Sequence, residues 1–328
     1  MPQYFLGIDI GGTKSHALIA DEQGRILGFG SGGAGNYESV GYPGLQARLH
    51  QIVEDALSSA DLLADHIAGA GFGIAGYDWP SELPPILEVI KTLGLTAPIH
   101  VTNDSIIGLL AGASEGWGVV VVAGTSNNCR GWDRDRREGR TTGNSAMGEY
   151  GGAGELVAQA VRAVAAEWTL RGPPTSLTET FIGLAGAASL PDLLEGLALQ
   201  DYQAEADWAP AIFRDALEKE DRVARDLIAW AGRELGSLAV GVIRQLGFEA
   251  QVFEVVMVGG LYAGGPLLLD PFKESILAVA PNAQFVRLSA PPAVGGVLLG
   301  MEEAGFNGYP LRERLAEAAV RSLAQKQD

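Results

Sequence analysis

The sequence predicts an α/β protein built from two related halves. Three observations predict it. Apolar runs bounded by glycine alternate with segments of helical periodicity along the whole chain. The strand and turn Leu6-Gly-Ile-Asp-Ile-Gly-Gly-Thr-Lys14 are echoed from residue 118 by Gly118-Val-Val-Val-Val-Ala-Gly-Thr-Ser126. A third apolar strand, Val255-Val-Met-Val-Gly-Gly260, also ends in a glycine pair, with Gly264 and Gly265 in the same loop.

The elements follow in order. Residues 4–30 read as three short strands joined by turns at Gly11-Gly12 and at Asp21-Glu-Gln-Gly24. Residues 31–42 are a Gly/Ser/Asn loop containing Asn36. Residues 43–63 carry helical periodicity through Leu45, Leu49, Ile52, Val53, Ala56 and Leu57. A strand over 67–74, a turn around Asp78-Trp-Pro80, a helix over 81–93, a strand over 99–102 and a helix over 106–113 complete the first half. The second half restarts at Gly118, with a second strand over 128–132. Residues 134–140 form a charged hairpin tip carrying Arg134, Arg136, Arg137 and Arg140, read as a solvated turn. Helix is expected over 151–171, short helices and proline turns over 173–211, and a long helical stretch over 212–246 broken near Asp221. A strand over 252–258, a helix ending by residue 280, a strand over 284–288 and a helix over 293–303 follow. A terminal helix over 309–327 packs back on the first half. The expected domains are therefore 1–114 and 115–308, with 309–328 joined to the first.

The two strand–Gly-Thr hairpins suit a phosphate. Glycine lets an anion approach the backbone because no Cβ obstructs it. Thr13 and Lys14 add a hydroxyl donor and a positive charge. Asp9, at the strand end, is well placed to hold a hydrated Mg²⁺ beside a polyphosphate. The arrangement is strand–loop–strand. It is therefore neither the Walker loop nor the dinucleotide fingerprint, both of which run from a strand into a helix. A glycine hairpin with no ligand is the alternative reading of either loop alone.

Composition excludes other classes. The chain has 328 residues, 47% of them hydrophobic and 19% charged, which suits two domains with a large core. The net charge of −17 argues against nucleic acid or an anionic membrane as partner, since binding phosphate backbones requires clustered Lys and Arg. No uncharged apolar stretch reaches the roughly 18 residues of a membrane span. The N-terminus begins directly with a strand, so neither span nor signal peptide is expected. The single cysteine, Cys129, excludes an intramolecular disulfide and suits a reducing cytoplasm. His16, His50, His66 and His100 lack ligand spacing, and no zinc site is expected.

The two Gly-Thr hairpins and the late glycine pair, in this order, resemble the actin-like ATPase superfamily, whose duplicated, ribonuclease H-like domains hold a nucleotide in the cleft between them. Within it the chain is most similar to the N-acetylglucosamine kinase and BadF/BadG/BcrA/BcrD ATPase family. The stretches that carry the likeness are Asp9-Ile-Gly-Gly-Thr13, Gly73-Ile-Ala-Gly76 with Asp78, Val101-Thr-Asn-Asp104, and Gly124-Thr-Ser-Asn-Asn-Cys-Arg130. Met147-Gly-Glu-Tyr-Gly-Gly152 and Ala293-Val-Gly-Gly-Val-Leu-Leu-Gly300 fit as well. The resemblance implies ATP and Mg²⁺ as cofactors and a sugar as acceptor. It implies that Gly11, Gly12, Thr13, Lys14, Gly124, Thr125 and Ser126 hold phosphate and that Gly259, Gly260 and Gly264 abut the adenosine. A homodimer is the expected assembly.

Transfer to a hydroxyl also needs a carboxylate that takes its proton. Asp104 is the candidate, at the C-terminal edge of a strand and the start of a helix, where open α/β sheets bind ligands. The competing role at that position is a helix N-cap. In the family it resembles, the Asp at this position is the general base. Asn36, Gly76, Asp78, Gly143, Asn144 and Glu149 are the candidate sugar contacts. Two departures touch specificity. Glu149 stands where the family usually has Asp, and Thr142-Gly-Asn144 replaces a Gly-Trp-Gly run. N-acetylglucosamine, glucosamine, N-acetylmuramic acid and another hexose all stay open as substrates. So do two other functions: a BadF-type ATPase and a sugar or nucleotide sensor. Iron–sulfur activators of the family use more than one cysteine, so Cys129 is read as a small core residue.

Overall fold

The computed structural model describes residues 2–324. It contains two five-stranded sheets of matching topology. The first consists of β1 (Tyr4–Ile10), β2 (Ser15–Asp21), β3 (Ile26–Gly32), β4 (Ile67–Ile74) and β5 (Ile99–Asn103), in the order β3-β2-β1-β4-β5. The second consists of β6 (Gly118–Ala123), β7 (Asn127–Trp132), β8 (Glu138–Arg140), β9 (Phe253–Val258) and β10 (Ala283–Arg287), in the order β10-β9-β6-β7-β8. Read from β8, the second order repeats the first. In each half the first three strands are antiparallel neighbours and the last two run parallel to the first. The twofold duplication expected from the repeated hairpin is thus present.

The helices are α1 (Tyr37–Ala60), α2 (Leu83–Lys91), α3 (Asp104–Gly112), α4 (Ala153–Trp168), α5 (Leu177–Ala185), α6 (Leu190–Leu199), α7 (Ala209–Glu218), α8 (Arg222–Leu246), α9 (Pro266–Leu277), α10 (Ala293–Glu303) and α11 (Arg312–Ala324). Residues 325–327 of the expected terminal helix lie outside the described residues. Helix α1 starts six residues earlier than its periodicity predicts. Asn36 caps it, accepting from the Glu38 amide at 3.0 Å, and the helix then breaks at Gly41 (φ 69°, ψ 170°) before Pro43 restarts it. A positive φ is cheap only for glycine, and proline is pre-set for a first helical turn. The long helical stretch does break near Asp221, whose side chain accepts from the Ala224 amide at 2.8 Å and caps α8.

One face of the first sheet buries Ile8, Ile10, Ala17 and Ile19 under Leu45, Leu49, Ile52 and Ile86 of α1 and α2. The other buries Phe5, Leu18 and Phe29 under Val294, Val297 and Leu298 of α10 and Leu315 of α11. The return to the first sheet therefore begins at Ala293 and not at Tyr309 as the sequence suggested. Glycines make the α10 contact close. A Cβ at Gly7 would lie 2.2 Å from the Val297 nitrogen, and one at Gly71 2.3 Å from the Gly296 oxygen. Helix α3 lies between the sheets, with Ile106, Ile107, Leu109 and Leu110 against Val120 and Val256 of the second sheet. The far face of that sheet carries the largest core, around α4, α8 and α9. Valines 119–121 are buried on both faces of β6, as a central strand requires.

The tip of the arginine hairpin is exposed at Arg134 and Arg137, as expected of a solvated turn, but its arginines also reach other parts of the fold. Arg136 bonds Glu302 of α10 and donates to the Tyr309 hydroxyl at 3.1 Å and the Gly116 carbonyl at 2.5 Å. Arg137 donates to the Leu246 carbonyl at 2.9 Å, and Arg140 lies 4.6 Å over the Trp79 ring. Their partners are far away in sequence, so no local charge pattern announced them. Among the described residues no single helix is long and apolar enough to cross a membrane.

Candidate active site

The first hairpin is closed by the Gly11 amide donating to the Lys14 carbonyl at 3.1 Å. A Cβ at Gly12 would meet nothing within 4 Å, so the backbone there is open to a ligand. Thr13 and Lys14 are exposed, and together with Asp9 and His16 they line a cavity of 510 Å³ bounded by residues 289–292. The second hairpin is closed by the Gly124 amide on the Ser126 carbonyl at 2.9 Å. The start of α4 leans on it, with Ala153 and Gly154 amides donating to the Gly124 and Thr125 carbonyls at 2.9 and 3.0 Å. Ser126 backs this turn, since a Cβ at Gly152 would lie 2.7 Å from its carbonyl carbon.

The late glycines join the second hairpin. Gly259 (φ 108°) presses on it closely enough that a Cβ would sit 2.3 Å from the Ala123 oxygen. Gly124, Thr125, Gly260 and Gly264 line one cavity of 630 Å³, the size of a small-ligand pocket. Its outer wall, residues 206–213, has no signature in the sequence. There Pro210, Ala209 and the Phe213 ring, which packs on Gly264, supply an apolar face. No motif marks that wall, because apart from Asp207 its lining is ordinary apolar residues around a helix start. The first hairpin lines its own cavity and not this one.

The sugar candidates converge. A Cβ at Gly76 (φ 82°) would lie 2.6 Å from Asn36 Oδ1, and one at Gly143 2.9 Å from Asp78 Oδ2. Glu149 accepts from the amides of Thr142 and Gly143, each at 2.7 Å, and of Asn144 at 3.2 Å. Gly143, Asn144 and Glu149 thus form one unit beside Asp78, with the carboxylate folding the loop that replaces the Gly-Trp-Gly run. Asp104 follows β5 directly. Its competing role falls away: Asn103 is the N-cap of α3, accepting from the Ser105 amide at 3.0 Å, so Asp104 is the first helical residue.

Three further residues surround Asp104 that the sequence did not single out. Asn103 Nδ2 donates to the Tyr77 carbonyl at 3.1 Å and to Asp78 Oδ1 at 3.3 Å, and Asn128 Nδ2 reaches Asn103 Oδ1 at 3.4 Å. Arg130, 3% exposed, donates to Asp78 Oδ1 at 2.6 Å and to the Tyr77 carbonyl at 3.2 Å. Burial pushes the Asp104 carboxyl up from its ordinary 3.8 to about 7, helped by the Asp9 and Asp78 carboxylates and opposed by Arg130. Burial likewise raises Asp9, which is relieved by His16 with Nδ1 3.9 Å away. Asp9 and Asp78 thus both act on the Asp104 carboxyl, with the Arg130 guanidinium opposing them. Among the described residues no group of three or more His, Cys, Asp or Glu side chains is placed to hold a metal ion by itself, so a divalent cation there would rest on a carboxylate such as Asp9 together with substrate phosphate, as Mg²⁺ commonly does.

Matching duplicated sheets, two Gly-Thr hairpins and a cleft between them define the actin-like ATPase fold. The sequence profile of the BadF/BadG/BcrA/BcrD ATPase family matches residues 6–300, and the chain belongs to that family. It is 26% identical to an N-acetyl-D-glucosamine kinase of Dictyostelium discoideum over 313 residues, covering 91% of this chain and 98% of that one. It is 23% identical to an N-acetylmuramic acid/N-acetylglucosamine kinase of Clostridium acetobutylicum over 303 residues, covering 92% and 99%. Among solved structures, a candidate N-acetylglucosamine kinase from Chromobacterium violaceum superposes with a TM-score of 0.70 at 21% identity, covering 90% of this chain and 98% of that one. A ROK family glucokinase from Streptomyces griseus, in complex with glucose and AMPPNP, gives 0.53 at 21% identity, covering 97% and 99%.

Proposed function

We propose that this protein is an ATP-dependent sugar kinase that transfers the γ-phosphoryl group to a hydroxyl of an amino sugar, at C6, with N-acetylglucosamine as the first candidate. The observation that carries the reading is the half-buried Asp104 carboxyl, its pKa pushed up, beside the convergence of Asn36, Gly76, Asp78 and Gly143. The kinases named above, matched over nearly their whole length, support the same class.

In this reading the backbone of residues 11–14 and 124–126 cradles the phosphates, with Thr13 and Thr125 as hydroxyl donors and Lys14 as a cation. The apolar wall at 206–213, with Gly259, Gly260 and Gly264, takes the adenosine. Asp9 would hold Mg²⁺, which when bound neutralises charge developing on the transferred group. Asp104 accepts the proton of the attacking hydroxyl. Asn36, Gly76 and Asp78 from one half, with Gly143, Asn144 and Glu149 from the other, orient the sugar, and closure of the halves excludes water. The reading also includes a reducing cytoplasm and a homodimer.

ADP release with and without a panel of hexoses tests it. Sugar-stimulated release is expected. Release independent of sugar would make the protein an ATPase, and none at all a sensor. The pH profile adds a second check. A base must be ionised to act, so catalytic efficiency is expected to rise with pH through about 7, well above an ordinary aspartate. A profile flat from pH 5 to 9 would remove Asp104 from the role.

Glu149→Asp is expected to alter selectivity. Its carboxylate holds three loop amides, and a side chain shorter by one methylene cannot keep all three. The ratio of efficiencies among glucosamine, N-acetylglucosamine and glucose should change by more than about fivefold, within the range a single pocket contact commands. If all three efficiencies move together, the loop does not select the sugar.

A further inference from the structure

The buried Arg130 joins the two halves at the sugar side of the site. It stands on β7 of the second sheet. Its Nη2 donates across the cleft to Asp78 Oδ1 at 2.6 Å and to the Tyr77 carbonyl at 3.2 Å, both in the loop after β4 of the first. Its Nη1 bonds the Glu138 carboxylate on the neighbouring β8. The guanidinium fork therefore ties a rigid strand pair to one loop. Asp78 Oδ1 also receives Asn103 Nδ2 at 3.3 Å, and Asn103 caps the helix that begins with Asp104. Asp78 Oδ2 faces Gly143 of the opposite loop. One carboxylate thus joins a cation from β7, the residue preceding the base, and the loop folded by Glu149.

The same strand pair is fastened to the first half twice more. Arg136 bonds Glu302 of α10, and Arg140 stacks on Trp79 next to Asp78. These contacts give the arginine-rich segment a use that solvation does not. Asp78, expected from the sequence to touch sugar, has one oxygen committed to Arg130 and Asn103.

We propose that Arg130 is a positioning residue for the sugar: through Asp78 and Asn103 it sets the loop at 76–78 and the start of α3 at the separation the acceptor requires. The wall assigned to the adenosine, around Gly260 and Phe213, lies on other elements and makes no contact with this fork. The inference deepens the kinase reading and rests on it for the identity of the ligand.

The test is a mutant cycle read first by calorimetric titration of N-acetylglucosamine in the presence of AMPPNP, and then by sugar-dependent ADP release. Arg130→Lys keeps a cation but replaces the fork with a point charge, which cannot serve Asp78 and Glu138 in the same geometry. It should fold with ATP affinity within about twofold of wild type, while efficiency for the sugar drops by about 100-fold, the cost of a misplacement near an ångström. Asp78→Asn should give a similar loss. The double variant should be no worse than Asp78→Asn alone, because both changes break one unit. Multiplying losses in the double variant would overturn the proposal. So would sugar affinity and efficiency within threefold of wild type in Arg130→Lys. So would a parallel fall in ATP affinity and melting temperature, which would mark the residue as structural only. Calorimetry keeps the two readings separable. If wild type binds the sugar but releases no ADP, the kinase reading fails while the cycle still reports on Arg130.

Discussion

Asp104→Asn is expected to lower turnover by about two to four orders of magnitude while leaving ATP binding intact, the loss that follows removal of a general base. The amide keeps the volume and cannot accept the hydroxyl proton. Helix α3 should be undisturbed, because Asn103 and not Asp104 supplies its cap. Stability gives an independent sign. The carboxyl titrates at about 7 in the fold against an ordinary 3.8. Its protonated form therefore favours the folded state, fully below about pH 4, and that contribution is lost as pH rises through about 7. The variant carries no such charge. Its melting temperature should exceed wild type at pH 8 and match it at pH 4. Turnover retained above about a tenth of normal would assign the proton to another group.

Gly71→Val is expected to prevent the chain from folding to its native state. A Cβ at this position would lie 2.3 Å from the Gly296 oxygen and 2.7 Å from the Leu299 Cβ, so backbone must move to admit it. Overpacking against side chains costs about 1–3 kcal/mol, and displacing backbone costs more. That is a large share of the roughly 5–15 kcal/mol that holds a domain together. Gly183→Ala is the control. Nothing lies within 4 Å of a Cβ there, and alanine favours the α5 helix by up to about 1 kcal/mol. The expected pattern is loss of soluble Gly71→Val and an unchanged or slightly higher melting temperature for Gly183→Ala. A soluble Gly71→Val melting within about 2 °C of wild type, a shift worth roughly 1 kcal/mol, would show that α10 does not lie as close as described.

What was legible in the sequence was local. Strand β4 and helix α10 fall on the boundaries that periodicity gives, and the repeat of a strand with Gly-Thr anticipated two sheets of one topology. Partnership was not legible. The periodicity of α10 says that it has a buried face, but not that Gly7 and Gly71 of the first sheet lie beneath it. The start of α1 was hidden because Gly41 and Pro43 read as a loop ending, while a break inside one helix looks the same in sequence. At the site, the glycine loops announced themselves through backbone chemistry that only glycine permits. Arg130 did not, since its worth comes from Asp78 in the other half of the molecule. Glu149 stood out as a departure from the family, but that its carboxylate would fold residues 142–144 required the loop's path.

The position of α10 bears on how the protein is made. The strands of the first sheet leave the ribosome early, yet Phe5, Leu18 and Phe29 are buried in a core built mainly from α10 and α11. The nascent chain must carry that apolar face uncovered while the entire second sheet is synthesised. Vectorial folding, half by half, is therefore closed to it. The first half is completed last, and a stalled or truncated product would present a bare sheet face of the kind that chaperones bind and aggregates grow from.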